Sequence, residues 1–99
     1  MNKIKLMADY ESSPLWNASD DEYGNIDPKT LPISESLKSE LSRWAHEYDQ
    51  TLNHSDPIQS GFRSKEQEAA FTQRGAQLAE LLRRELGRSG IQVVYQPPR

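Results

Sequence analysis

Six carboxylates crowd the stretch from Asp9 to Ile33: Asp9, Glu11, Asp20, Asp21, Glu22 and Asp27, interleaved with the aromatics Tyr10, Trp16 and Tyr23. Carboxylates at this density can hold a hard cation or face a basic partner. Asp20-Asp21-Glu22 lacks the spaced oxygen ligands of a dedicated calcium loop, so no metal is assigned to it. The only histidines are His46 and His54. Neither lies in an HExxH pattern, and no cysteine is present to complete a zinc set. His54 stands near Asp56, as an acid–base pair would. It also lies in a helix-ending turn, where local hydrogen bonding is the simpler use. Serines are frequent, but no GxSxG elbow and no glycine-rich phosphate loop occurs. The chain therefore reads as a non-enzyme without cofactor or metal.

The charges are unevenly spread. The formal net charge is −3, yet residues 57–99 carry seven basic and four acidic side chains. The negative charge is thus concentrated toward the N-terminal stretch. Such a face attracts basic partners and speeds encounter with them. A net negative chain lacks the positive footprint that non-specific nucleic-acid binding needs.

These residues need a scaffold, and the chain has room for one. Ninety-nine residues make a single domain with one modest core. Absence of cysteine excludes a disulfide framework. The N-terminus has no apolar signal-type run, and no stretch approaches the roughly 20 apolar residues of a membrane helix. A soluble, cytoplasmic protein without a membrane partner is expected.

Lys3 to Leu6 alternates polar and apolar, as a half-buried strand does, with Ile4 and Leu6 on one face. From Asp9 to Ile33 no helical or strand period is sustained, and a long acidic, aromatic surface loop is expected there. Leu31-Pro32-Ile33 should pin its end to the core. Ser34 is a good N-cap, and Leu37, Leu41, Trp44, Ala45, Tyr48 and Leu52 make one apolar stripe on a helix of about residues 35–52. Asn53 would end it in the left-handed conformation. Ser64-Lys65-Glu66-Gln67 has the capping-box form. It starts a second helix over about residues 65–86, whose stripe runs through Phe71, Gly75, Leu78, Leu82 and Leu86, with Gly87 as the stop. Gly75 on an apolar stripe points to close approach of the first helix beside Trp44. Residues 91–95 read as a strand ended by Pro97-Pro98.

The order predicts an α+β fold: an antiparallel two-helix hairpin packed with a small sheet of the N- and C-terminal strands. Those strands would be antiparallel if every connection reverses the chain, and the long loop could overturn that. Trp44, Tyr48 and Phe71 belong to the core. Trp16 and Tyr23, in the loop, either contact a partner or fold back as anchors.

A resemblance runs through the chain. It includes Lys5-Leu6-Met7-Ala8-Asp9-Tyr10, Ser13-Pro14-Leu15-Trp16, Gly24-Asn25-Ile26-Asp27-Pro28, Leu31-Pro32-Ile33-Ser34, Trp44-Ala45 with Tyr48-Asp49, and Asp56-Pro57. It continues through Ser60-Gly61-Phe62, Ala70-Phe71, Gly75, Glu85-Leu86-Gly87 and Val93-Val94-Tyr95. In this order the motifs resemble immunity proteins of bacterial contact-dependent growth inhibition systems. The resemblance implies an antidote that binds the toxic C-terminal domain of a cognate cell-surface effector, often a nuclease and commonly a ribonuclease. It carries no contact residue over to a position here.

The residues themselves nominate the partner surface. Asp20, Asp21, Glu22 and Tyr23, with Trp16 nearby, form one candidate. The acidic side of the first helix, with Glu40, Glu47 and Asp49, forms another. A small acidic adaptor or regulator without a toxin is the alternative reading, and the neighbouring gene discriminates between the two.

Overall fold

A computed structural model describes residues 3–19, 24–51 and 61–98. The fold is α+β: a small mixed sheet of four strands with two helices against it. The strands are β1 (Lys3–Leu6), β2 (Leu15–Asn17), β3 (Gly24–Ile26) and β4 (Gln92–Tyr95), in the sheet order β3-β2-β1-β4. The helices are α1 (Glu35–Asp49) and α2 (Lys65–Leu86).

The alternation in β1 works as its sequence suggests: Ile4 and Leu6 are fully buried, while Lys3 and Lys5 point the other way. The first and last strands are neighbours, as expected, but they run parallel, with Ile4 beside Val93 and Leu6 beside Tyr95. The expected loop from Asp9 to Ile33 is in fact partly regular. It contains β2 and β3, which form an antiparallel pair, and a short 3-10 turn at Pro28–Thr30. Each of these strands has three residues and only one fully apolar inward position, Leu15 or Ile26. Alternation cannot be recognised over so few residues. Side-chain clasps finish the pairing: the Asn25 amide donates to the carbonyls of Ser13 and Leu15 at 2.8 and 3.1 Å, and Ser13 Oγ donates to the Ile26 carbonyl at 2.5 Å. Leu31 and Ile33 are buried, so the end of the segment is pinned to the core.

Both helices begin where a serine caps them. Ser34 Oγ accepts from the Leu37 amide at 3.1 Å, and Ser64 Oγ accepts from the Gln67 amide at 3.0 Å. Gln67 reaches back to the amide of Arg63, at 2.7 Å, one residue earlier than the simple capping box. α1 closes at Asp49, three residues before the stripe's last leucine; Leu52 and Asn53 lie outside the described residues. α2 ends at Leu86, but Gly87 keeps a right-handed conformation and opens a 3-10 turn. The left-handed residue that turns the chain into β4 is Gly90, at φ 71°.

The helices run antiparallel: Ser34 meets Glu85, Trp44 stacks on Phe71 with ring centroids 4.5 Å apart, and Tyr48 lies against Phe62. Leu37, Leu41, Trp44, Phe71, Leu78, Leu82 and Leu86 close over Ile4, Leu6, Leu15, Ile26 and Val93. Burying one such side chain contributes roughly 1.5–3 kcal/mol. Gly75 lies where α2, Trp44 and Tyr95 converge, and a Cβ there would overlap Trp44 Cζ2 and Tyr95 Oη. The glycine on the stripe is thus a close-approach residue, next to Trp44 as its position suggests.

Candidate functional site

The chain between β1 and β2 turns back against the end of α1. Tyr10 stacks on Tyr48 with centroids 4.6 Å apart, and its hydroxyl shares a 2.9 Å hydrogen bond with Thr51 Oγ1. This contact lets the next residue take a rare conformation. Glu11 has φ 57°, the sole positive φ of a non-glycine among the described residues, and its amide donates to Asp49 Oδ1 at 2.8 Å. A charged acceptor and an aromatic stack on either side of one peptide offset the cost of that backbone. Burial raises the Tyr48 phenol above its ordinary range, with a further contribution from adjacent Tyr10.

Between this turn, the Asp27–Lys29 segment and one flank of α1 runs an open cleft of about 460 Å³, into which Glu11, Asp27, Lys38, His46 and Asp49 all project. Lys38 is paired with Glu35 at 3.1 Å, and Asp27 Oδ1 accepts from the Lys29 amide at 3.0 Å. The cleft is therefore lined by charged groups of both signs, several of them already held by neighbours in the fold.

The residues nominated from sequence are distributed as follows. Trp16 lies on β2, half-buried, on the sheet face turned away from the helices, and its indole N–H donates to the Met7 carbonyl at 3.0 Å. Asp20, Asp21, Glu22 and Tyr23 lie outside the described residues. The three acids of α1 do not share one face. Glu40 turns toward α2, where it pairs with Arg74 as well as with Arg43. Glu47 is exposed at the rim of a separate depression with Gln50, Phe62 and Gln67. Asp49 lies on the opposite flank, at the Glu11 turn. Of the nominated acids among the described residues, then, Asp49 lines the 460 Å³ cleft and Glu40 and Glu47 do not, and Glu11 and Asp27 join Asp49 there. Both were counted among the loop carboxylates without being placed at a site. Only the backbone brings them to α1, and no sequence signal marks a glutamate at positive φ. His46 is exposed, within 3.2 Å of the Gln50 amide; His54 lies outside the described residues.

No group of three or more metal-ligating side chains and no helix able to cross a membrane occurs among the described residues. The arrangement is a charged, irregular surface on a rigid scaffold. A family model described as Serratia CdiI immunity protein-like matches residues 2–98. The chain belongs to that family. It is a CdiI-like immunity protein of contact-dependent growth inhibition, and the match spans every element of the fold, the two short strands included. No curated protein matches the sequence. For a CdiI-like chain the relevant chemistry is recognition of a toxin, and the surfaces above are the places where this chain offers charge.

Proposed function

We propose that this immunity protein binds the C-terminal toxin domain of its cognate effector in the cytoplasm and neutralises it by binding, not by catalysis. The observation that carries the reading is the family match across residues 2–98. The toxin is proposed to be a nuclease, with ribonuclease the first activity to assay. A nuclease that grips phosphates presents a basic cleft. Carboxylates on a preformed surface can fill such a cleft, repel its substrate and speed association. Trp16, Asp20, Asp21, Glu22, Tyr23, Glu40, Glu47 and Asp49 are the proposed contact residues. Glu47 and Asp49 support the idea most directly, since each borders a surface depression. Glu40 is already engaged by Arg74, so its part in binding would require a shared or exchanged ion pair.

Co-expression with the toxin domain encoded beside it tests the reading. Growth should be restored and the two proteins should co-purify. Alanine at Asp20, Asp21 and Glu22 together should slow association and flatten its dependence on salt. Unchanged association and protection by the folded triple variant would remove those three acids from the interface. Absence of any protection by the wild-type chain would remove the toxin assignment itself.

A further inference from the structure

The sheet has two faces, and the helices cover only one. Ile4, Leu6, Leu15, Ile26 and Val93 are buried against the helical hairpin. The register places Lys5 between Trp16 and Val94 in one row across the opposite face, with Lys3 and Gln92 in the next. Among the described residues no element covers this face, and Trp16 and Val94 stay partly exposed on it.

Three observations give the face a character of its own. Its charge is opposite to that of the chain: Lys3 and Lys5 stand on it, and neither forms an ion pair among the described residues, whereas the net charge is −3. The described carboxylates lie on the helices, in the Asp9–Glu11 turn and at Asp27, none of them on the outward positions of the sheet. The Trp16 ring is set in place by its hydrogen bond to the Met7 carbonyl, so little side-chain freedom remains to be lost on contact. A partly exposed tryptophan is the residue type enriched at interface centres, and the lysines beside it make no ion pair among the described residues, as cations at an interface rim would before contact.

We infer that this open face is a further part of the docking surface, sharing Trp16 with the contact residues proposed above and taking a carboxylate-bearing patch of the protein partner, with Trp16 as the apolar anchor and Lys3 and Lys5 as the cations. The partner's identity rests on the immunity reading; the chemistry of the contact rests on this face. Two lysines and one aromatic on an acidic chain are too small a footprint for a nucleic acid. Two copies joined face to face would set lysines against lysines. Joined face to acidic flank, they would make a head-to-tail contact, which self-association of the wild-type chain alone would reveal.

The test compares wild type, Lys3→Glu/Lys5→Glu and Lys3→Arg/Lys5→Arg by calorimetric titration with the purified toxin domain. Circular dichroism confirms folding, and Lys3→Gln/Lys5→Gln serves if the reversed variant fails to fold. The reversed or neutral variant should bind at least about tenfold more weakly, and the arginine variant within about twofold of wild type. Equal affinity for wild type and the reversed variant overturns the inference and leaves the immunity reading intact. So does retention of a single-stranded RNA probe by wild type alone, or self-association lost only in the reversed variant. A wild-type chain that does not bind the toxin domain overturns both.

Discussion

Gly75 occupies a place where a single methyl group would matter. In an exposed helix, alanine would be favoured over glycine by about 1 kcal/mol. Here the added carbon would meet Trp44 and Tyr95, both held in position by hydrogen bonds, Trp44 Nε1 to the Phe71 carbonyl at 3.0 Å and Tyr95 Oη to the Thr72 carbonyl at 2.9 Å. Overpacking of this kind costs about 1–3 kcal/mol and should win. Gly75→Ala is therefore expected to lower the urea midpoint, and Tyr95→Phe should partly relieve it in the double variant, a less than additive pair. A Gly75→Ala protein as stable as wild type would show that the tyrosine moves aside at no cost. This site was legible beforehand, because a glycine on an apolar stripe has few other uses. Trp16 was legible only as a choice between anchor and contact residue. The structure makes its N–H an anchor and leaves part of its ring exposed, a division that no one-dimensional pattern contains.

At the scale of elements, Ser34 joins the two helices. It caps α1, and the carboxylate of Glu85, near the end of α2, accepts from its amide at 2.5 Å and from its hydroxyl at 2.9 Å. Ser34→Ala should cost about 1 kcal/mol through the lost cap, with more if the Glu85 contact fails as well. A double-mutant cycle with Glu85→Ala separates the two, and a coupling near zero would show that solvent screens the contact. Both helices could be read from their stripes and caps because a period repeated over four or more turns is redundant. β2 and β3 could not, since three residues carry no period and their pairing depends on Asn25 and Ser13 reaching across the gap. The direction of β4 was equally hidden: helix axes lie across a sheet at angles set by packing, so counting chain reversals does not fix parity. The acids of α1 show the same limit from the other side. Spacing placed Glu40, Glu47 and Asp49 outside the apolar stripe, but only the neighbours of the helix decide that Glu40 meets Arg74 while Asp49 meets Glu11.

Across the whole molecule, among the described residues, Lys3 and Lys5 stand on the open face of the sheet, while the carboxylates lie on the helical side and in the turn against it, mixed there with the remaining bases. Two partly buried phenols make stability respond to pH at the alkaline end. Burial raises the phenols of both Tyr48 and Tyr95 above their ordinary value of 10.0. A raised phenol keeps its proton in the native state after the unfolded chain has lost it. Its contribution is fully present below the unfolded value and is lost as pH rises through the native one. The melting temperature should hold to about pH 9 and fall from about pH 10 upward, and the fall should be shallower for Tyr48→Phe/Tyr95→Phe. An identical alkaline slope in that variant would assign the loss to other groups.

The parallel pairing of β1 with β4 has one more consequence, a mechanical one. The start of β1 and the end of β4 lie at opposite ends of the same ladder. Tension applied between them is directed along the strands, so it loads the ladder's hydrogen bonds together in shear. An antiparallel pair of end strands would instead be peeled open one bond at a time. Force applied between the outer ends of these two strands therefore has to break the ladder as a unit.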